Sequence, residues 1–314
     1  MKNKGGDVMA GSDSQAAEWV TKFVLGAVAA LSVEDRPKTV GSLTGSSGAK
    51  YLIGQTLAST NEYTLYVCVL PSGRCGILKI AKAAKFNGSL DKEAFILKMM
   101  AAKASEVEAA IDPVSKPYNY QYFFPAVVES FICESQGNRR VNVLGFPDPV
   151  DEIGQLTPLS SLIEKERVRV DPRTAAWMVG KSFKVLSFAH GQGIVNNQVL
   201  ASNILIEKEQ HGVVFFNWSQ VTMYPDGIVP QDIASREIAL IACLGISLMG
   251  GNPNLGTIPD YYQDQLTDNR FMDLLRLLSW GKISDAGVAH AKFYKLIREL
   301  WPRYFHPYTA YPRE

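Results

Sequence analysis

The sequence predicts a bilobal α+β fold in which a small antiparallel sheet precedes a larger, mainly helical lobe. Between residues 51 and 146 the apolar runs are short and rich in β-branched and aromatic residues, which is typical of strands. Beyond residue 149 the apolar residues recur at helical spacing over long stretches. With 314 residues, 46% of them hydrophobic, the chain is long enough to form two lobes with real cores.

Five strands and one helix make up the predicted small lobe, residues 49–148. The strands are expected at residues 51–57, 63–70, 76–81, 126–133 and 140–146. Pro71, Ser72 and Gly73 provide the turn after the second strand. The helix is expected at residues 90–108, with Ser89 as its N-cap and acidic residues in its first turns.

The predicted larger lobe, residues 149–314, is mainly helical. Its helices are expected at residues 158–165, 171–192, 232–249, 261–279 and 284–300. Only two short strands interrupt them, at residues 204–206 and 213–216. The aromatic stretch from residue 293 to 311 is expected to end the last helix and to pack back on this lobe, although base stacking on nucleic acid is an alternative.

An N-terminal extension, residues 1–48, precedes the two lobes. Its apolar residues predict an amphipathic helix over about residues 14–33, which docks either on the body of this protein or on a partner. The apolar segment is too short to span a bilayer, so we expect no transmembrane segment. Residues 34–50 are rich in Ser, Gly, Thr and Pro and are interpreted as a linker.

Charge and cysteine content exclude several classes of function. The formal net charge is +1, with 20% charged residues, so no global field attracts nucleic acid or an acidic membrane. The four cysteines lack paired metal-ligand spacing, and the chain has only four histidines. We therefore expect neither a zinc site nor a disulfide framework. We expect free thiols in a reducing cytoplasm.

One loop carries a resemblance to a known family. His190 and Gly191 lie at the end of a predicted helix, and Asn203 leads into the apolar pair Ile204 and Leu205. This order resembles the catalytic loop of the protein-kinase superfamily, which runs His-Arg-Asp, four residues, then Asn. If Asn203 is aligned with the family's metal-binding Asn, Gln198 aligns with the catalytic Asp, five residues upstream. The same alignment matches Leu200 to the Lys of the loop and Asn196 to its His.

Three further motifs follow the family's order. Asn217, Trp218 and Ser219 come after an apolar strand, where the family has Asp-Phe-Gly with a metal-binding Asp. Lys79 resembles the lysine that binds the α- and β-phosphates, and Glu93 its partner on the following helix. The family's glycine-rich loop corresponds to residues 58–63, which contain no glycine. Ile77 replaces the small alanine beside the adenine.

A further helix resembles the one that braces the catalytic loop from below. In that resemblance Arg236 falls on the bracing aspartate. After a small shift, Asp232 or Glu237 would serve instead.

The resemblance implies a degenerate member of the family, a pseudokinase. Gln198 cannot accept a proton at neutral pH, and Asn217 lacks the charge that a divalent ion requires. Such a protein would act as a binding, scaffolding or regulatory module for another protein. The resemblance implies no definite cofactor. If ATP binds, with or without magnesium, the residues that align with the family's nucleotide-binding positions would hold it: Lys79, Glu93, Asn203, Asn217, Leu205 and Ile77.

Two alternatives remain open. The first is an ATP-dependent phosphotransferase with displaced catalytic residues, acting on proteins or on small molecules. The pair Asn217 and Trp218 echoes the Asp-Trp of the small-molecule branch of the superfamily. The second is a partial resemblance in a fold with an unrelated structural role.

Overall fold

A computed structural model of the chain describes residues 41–110, 119–146, 156–259, 269–301 and 305–313. The helix predicted at residues 14–33 lies outside these ranges. None of the helices within them combines the length and hydropathy that crossing a bilayer requires.

The N-terminal region is an antiparallel sheet of six strands. They are β1 Gly41–Thr44, β2 Lys50–Ser59, β3 Tyr63–Val69, β4 Cys75–Ala81, β5 Ala126–Cys133 and β6 Arg139–Gly145, in the spatial order β1-β2-β3-β4-β6-β5. Five of them were predicted within one or two residues of the observed bounds. Apolar β-branched and aromatic residues therefore located these strands well.

The prediction of five strands was wrong by one. The extra strand, β1, lies inside the segment interpreted as a linker and pairs with β2 along its whole length. Only Leu43 of β1 is buried, so the strand shows no apolar period. β1 forms because it completes the backbone hydrogen bonds of β2. Amino-acid composition does not reveal such backbone pairing.

Helix α1, Asn87–Ala109, is the helix predicted beside this sheet. It begins three residues earlier than expected, directly after a turn of 3₁₀-helix at Ala84–Phe86. Ser89 is not its N-cap: the Ser89 hydroxyl lies inside the first turn and donates to the carbonyl of Phe86 at 3.0 Å. Because the 3₁₀ turn leads directly into the helix, the helix begins upstream of the capping residue that the sequence predicted.

Helices dominate the second region. They are α2 Pro172–His190, α3 Gln231–Leu248, α4 Arg270–Ser279 and α5 Ala286–Leu300. The predicted start of α4, near residue 261, lies outside the described residues. The sequence predicted a helix at residues 158–165. In the structure, Pro158 is the last residue of strand β7 Leu156–Pro158, and a π-helical turn follows at Ser161–Lys165.

Short strands connect these helices. β10 Ile204–Glu207 lies between β11 Gly212–Phe215 and β7, while β9 Ile194–Val195 pairs with β12 Thr222–Met223. β8 Val168–Val170 pairs with the C-terminal strand β13 Ala310–Pro312. The prediction that the tail packs back on the helical region is therefore confirmed.

One buried apolar cluster joins the sheet to the helices. Leu65 and Ile77 enter it from the inner face of the sheet, and Met100 from α1. Phe183 of α2 and Ile241 of α3 belong to the same cluster. The inner face of the sheet is thus part of the core of the helical region.

A second cluster covers the opposite face of the sheet and includes Tyr51, Cys68, Leu78 and Val143. All four cysteines of the chain are free. Burial raises the pKa of the Cys68 thiol to about 12, so this thiol stays protonated at neutral pH.

Asp171 caps α2 and also anchors the C-terminal segment. Its carboxylate accepts hydrogen bonds from the backbone N–H groups of Arg173 and Thr174 at 2.8 and 3.2 Å. The hydroxyl of Thr174 donates to the same carboxylate at 2.6 Å, and His306 Nε2 lies 3.0 Å from it. One buried carboxylate thus satisfies the start of a helix and fixes the returning tail.

We expect Asp171→Ala to lower the free energy of unfolding by about 2 kcal/mol, the upper end for an N-cap, because several donors lose their acceptor. The side chain of Asp285, the N-cap of α5, has the N–H of Val288 as its one hydrogen-bond donor among the described residues, and it provides the matched control. Asp285→Ala should cost about 1 kcal/mol. Urea denaturation measures both, and equal losses would show that the tail contact adds nothing.

Candidate functional site

The pair predicted from the lysine and glutamate motifs meets between the sheet and α1. Lys79 lies on β4 and Glu93 on α1, and Lys79 Nζ stands 2.8 Å from Glu93 Oε1. Both side chains are 0% exposed. Strand alternation puts Lys79 on the same inner face as Ile77, while Glu93 shares the buried face of α1 with Leu97.

Asn142 of β6 supports this ion pair, and sequence reasoning missed it. Its side-chain amide donates to Glu93 Oε2 at 3.2 Å and to the carbonyl of Leu90 at 2.9 Å. Its own oxygen accepts from the hydroxyl of Ser130 at 2.7 Å. An amide between Val141 and Val143 in a buried strand was the available signal, because such a residue needs polar partners.

Asn217 joins the same cluster from the opposite side. Its Oδ1 accepts from Lys79 Nζ at 2.8 Å and from both the N–H and the hydroxyl of Ser219, at 3.2 and 2.9 Å. The N–H of Trp218 donates to Glu93 Oε1 at 3.2 Å. A carbonyl oxygen has two lone pairs, so three donors leave Asn217 Oδ1 no free electron pair for a metal ion.

The ring of Tyr63 covers the ammonium group of Lys79. The distance from Lys79 Nζ to the ring centroid is 3.9 Å, within the range of a cation–π contact. Tyr63 begins β3 and is itself buried. It follows a tight turn in which the N–H of Thr60 donates to the Tyr63 carbonyl. The segment where the family has glycines therefore supplies a bulky aromatic contact, a role the sequence did not reveal.

Charge balance keeps Lys79 protonated. Burial, the largest single effect, lowers the pKa of this lysine, but Glu93 and Tyr63 together outweigh burial, and the net pKa is raised. The ammonium group thus remains a hydrogen-bond donor at any physiological pH.

The predicted catalytic loop lies next to this cluster. Asn203 Nδ2 donates to the backbone and side-chain oxygens of Gln198 at 3.2 and 3.3 Å. Asn196 Nδ2 donates to the carbonyl of Asn217 at 3.0 Å, which ties the loop to the cluster. The side chain of Leu200 is 37% exposed. Gln198 and Asn203 are thus brought together, whereas the side chain of Leu200 adds no described hydrogen bond to the site.

Glu237, and not Arg236, braces this loop. Glu237 is buried on α3, and its carboxylate accepts from the backbone N–H groups of Asn196 and Asn197 at 3.4 and 2.6 Å. His190 Nε2 lies 2.8 Å from the same carboxylate. Arg236 is exposed. The direct sequence alignment was therefore wrong by one residue, and the shifted alternative identified the correct side chain.

The two apolar candidates from the sequence lie in the buried core. Ile77 and Leu205, the two apolar candidates from the sequence, are both buried and belong to one cluster with Phe146 and Phe216. The rings of Phe146 and Phe216 stack with their centroids 6.3 Å apart. Sequence reasoning did not identify this aromatic pair, because its members lie far apart in the chain.

The loop brace generates a stability prediction. Glu237→Ala should lower the free energy of unfolding by about 3 kcal/mol or more, because it leaves buried donors without an acceptor. Arg236→Ala, one position away on the solvent side of α3, should change it by less than about 0.5 kcal/mol. Chemical denaturation compares the two, and a loss at Arg236 as large as that at Glu237 would contradict the assignment.

The Lys79–Glu93 pair generates a prediction on pH. Because the folded pKa of Lys79 lies above the ordinary value of 10.5, its contribution to stability is complete below that pH and declines as pH rises through the folded pKa. The double variant Lys79→Met, Glu93→Gln lacks this titration. The stability of the wild type relative to the double variant should therefore fall above about pH 10.5. A difference that stays constant up to pH 12 would contradict the raised pKa.

Comparisons with known proteins address the fold. No protein-family model and no curated protein matches this sequence. The solved structure of vaccinia related kinase 3 is similar with a TM-score of 0.55 and 12% identity, covering 90% of this chain and 96% of that one. The BubR1 kinase domain is similar with a TM-score of 0.51 and 12% identity, covering 83% and 89% respectively. At such identity the likeness establishes the fold alone, and that fold is protein-kinase-like, with an antiparallel sheet followed by helices.

Proposed function

We propose that this protein is a pseudokinase, a protein-kinase-like domain that transfers no phosphate and serves as a binding, scaffolding or regulatory module for another protein. The observation that carries the proposal is the complete enclosure of the Lys79 ammonium group by protein. Glu93, Asn217 and the ring of Tyr63 surround it, and the side chain is 0% exposed.

Enclosure matters because phosphoryl transfer depends on positioning. In active kinases the corresponding lysine holds the α- and β-phosphates while it pairs with the glutamate. Here a phosphate oxygen would have to displace Tyr63 or Asn217 from Lys79. Both contacts lie in a buried cluster, so each displacement exposes groups that the fold now satisfies.

The donor set also argues against a magnesium nucleotide. Magnesium in phosphotransferase sites is bound by carboxylates together with substrate phosphates. The positions that would supply its ligands are Asn203 and Asn217, both amides. Asn217 Oδ1 already accepts three hydrogen bonds, and Asn203 is turned toward Gln198.

The position of the catalytic base gives independent support. The catalytic aspartate of a kinase accepts the proton of the attacking hydroxyl. Gln198 is neutral at physiological pH, and its side-chain oxygen accepts from Asn203. A proton acceptor is therefore missing from this position even for a substrate that could reach it.

The apolar end of the site would also have to open for a base to enter. Ile77 and Leu205 belong to the same buried cluster as the stacked rings of Phe146 and Phe216. Inserting a purine ring among such side chains would expose packed apolar surface, at a loss of about 25 cal/mol per Å².

In this proposal the chain divides into an extension (1–48), a sheet lobe (49–148) and a helical lobe (149–314), and it works in the cytoplasm. Partner binding would use the extension or the outer face of the helical lobe. Leu277 and Trp280, one turn apart at the end of α4, are 39% and 59% exposed. Large apolar side chains in this position are typical of protein contacts.

Nucleotide binding tests the proposal. Thermal unfolding of the wild type with ATP at about 5 mM, well above the usual KM range, should show no shift with or without magnesium or manganese. Phosphate release should equal that of the buffer. A metal-dependent rise in melting temperature that Lys79→Ala abolishes, together with phosphate release, would overturn the proposal in favour of the phosphotransferase alternative.

A pair of variants separates the two obstacles to nucleotide binding. The double variant Gln198→Asp, Asn217→Asp restores both carboxylates but leaves Tyr63 over Lys79, so it should still show no nucleotide-induced shift. Adding Tyr63→Gly to it removes the cover and is expected to permit a shift. Binding by the double variant alone would show that missing charge, and not enclosure, excludes the nucleotide.

A further inference from the structure

A cavity of about 230 Å³ lies between α2 and α5, remote from Lys79 in the sequence and on different elements. Trp177 and Gly180 line it from α2, and Phe293 and Ile297 line it from α5. The two helices approach each other closely at Gly180, because a Cβ atom there would stand 3.3 Å from Tyr294 and 3.4 Å from Phe293. A larger side chain at this position would push against both rings.

A stack of three parallel rings forms one wall. The rings of Trp177 and His211 have centroids 4.4 Å apart and an interplanar angle of 5°. Phe305 stacks on the other face of His211, also at 4.4 Å and with an angle of 10°. Aromatic side chains in the wall of a cavity favour contact with an aromatic ligand.

Two cations and no anions line the cavity. Arg173 and Arg298 are among its lining residues, and none of the lining residues that the structure describes is acidic. The neighbouring Glu299 pairs with Arg270 at 2.9 Å. An anionic group entering between α2 and α5 would therefore meet guanidinium groups with no competing carboxylate in the wall.

Two polar atoms in the wall have no hydrogen-bond partner within the described part of the chain. They are the buried Nε1 of Trp177 and Nε2 of His211. Burial lowers the pKa of His211, so its ring is neutral at physiological pH. The indole N–H can only donate, so it lacks an acceptor such as a carboxylate oxygen. Leaving such atoms without a partner is costly, and both belong to residues that line the cavity.

We propose that this cavity binds a small aromatic carboxylate. The aromatic side chains receive the ring, and Arg173 and Arg298 receive the carboxylate. The volume lies below the range of about 300–1,000 Å³ usual for larger ligands, so the expected ligand is small. The site is independent of the enclosed cluster at Lys79 and of the proposed loss of phosphate transfer.

A matched pair of probes tests the chemistry. Isothermal titration of the full chain with 2-naphthoate should give saturable one-to-one binding with a dissociation constant below about 1 mM. The neutral isostere 2-naphthamide should bind at least about tenfold more weakly, because it cannot form charge-assisted bonds with the arginines. Equal affinities, or no binding of naphthoate at 1 mM, would overturn the proposal.

Variants locate the binding. Arg173→Gln with Arg298→Gln should weaken naphthoate about tenfold or more and leave naphthamide unchanged. Arg236→Gln, a surface arginine on α3, is the control for net charge and should leave both affinities unchanged. Gly180→Leu should block both probes by filling the cavity. If Gly180→Leu does not fold, the arginine pair still decides, because wild-type affinity in that double variant would contradict the site.

Discussion

The rest of the candidate site depends on one buried ion pair between β4 and α1. Two charges removed from water are stable only if each finds its counter-charge and its remaining hydrogen bonds. Lys79 meets this requirement with Glu93 and Asn217, and Glu93 meets it with Asn142 and the N–H of Trp218. The pair thereby joins the sheet, the helix and the segment after β11 through single side chains. Removing either charge would leave the other uncompensated in the core, which explains why the pair can persist without any catalytic role.

Under the proposed function, charge neutrality accounts for the amides near that pair. In an active kinase, the additional carboxylates of the site are balanced by magnesium, which also binds the phosphates. Here the same positions carry the amides of Asn217 and Gln198, so one cation and one anion remain and the buried cluster is neutral by itself. The aromatic ring of Tyr63 completes the surroundings of Lys79 without adding charge. These substitutions are mutually consistent: each would be less favourable if the site still had to receive a metal ion and phosphates.

The sequence allowed the fold class and the Lys79–Glu93 pair to be predicted, because both depend on local periodicity and on the order of motifs along the chain. The partners of that pair were not predictable. Asn142 and Tyr63 approach it only through the pairing of strands, and strand register depends on contacts between distant residues. The error at Arg236 has the same origin, since one residue on a helix turns a side chain from the loop to the solvent. Strand β1 was missed because an edge strand with a single buried residue has no apolar period.

The retained and the lost residues of the kinase-like motifs differ in whether folding itself needs them. Glu237 satisfies the backbone of Asn196 and Asn197 and contacts His190, so its carboxylate is required for a folded loop whatever the loop does. Gln198 is half-buried, and its side chain has one described hydrogen-bond partner, Asn203. The stability of the fold therefore does not require a carboxylate at this position. Leu200 is exposed and under still less constraint. Stability alone is thus sufficient to keep the bracing groups, whereas the catalytic groups would be kept only by catalysis. The proposed binding function needs the first set of groups and not the second.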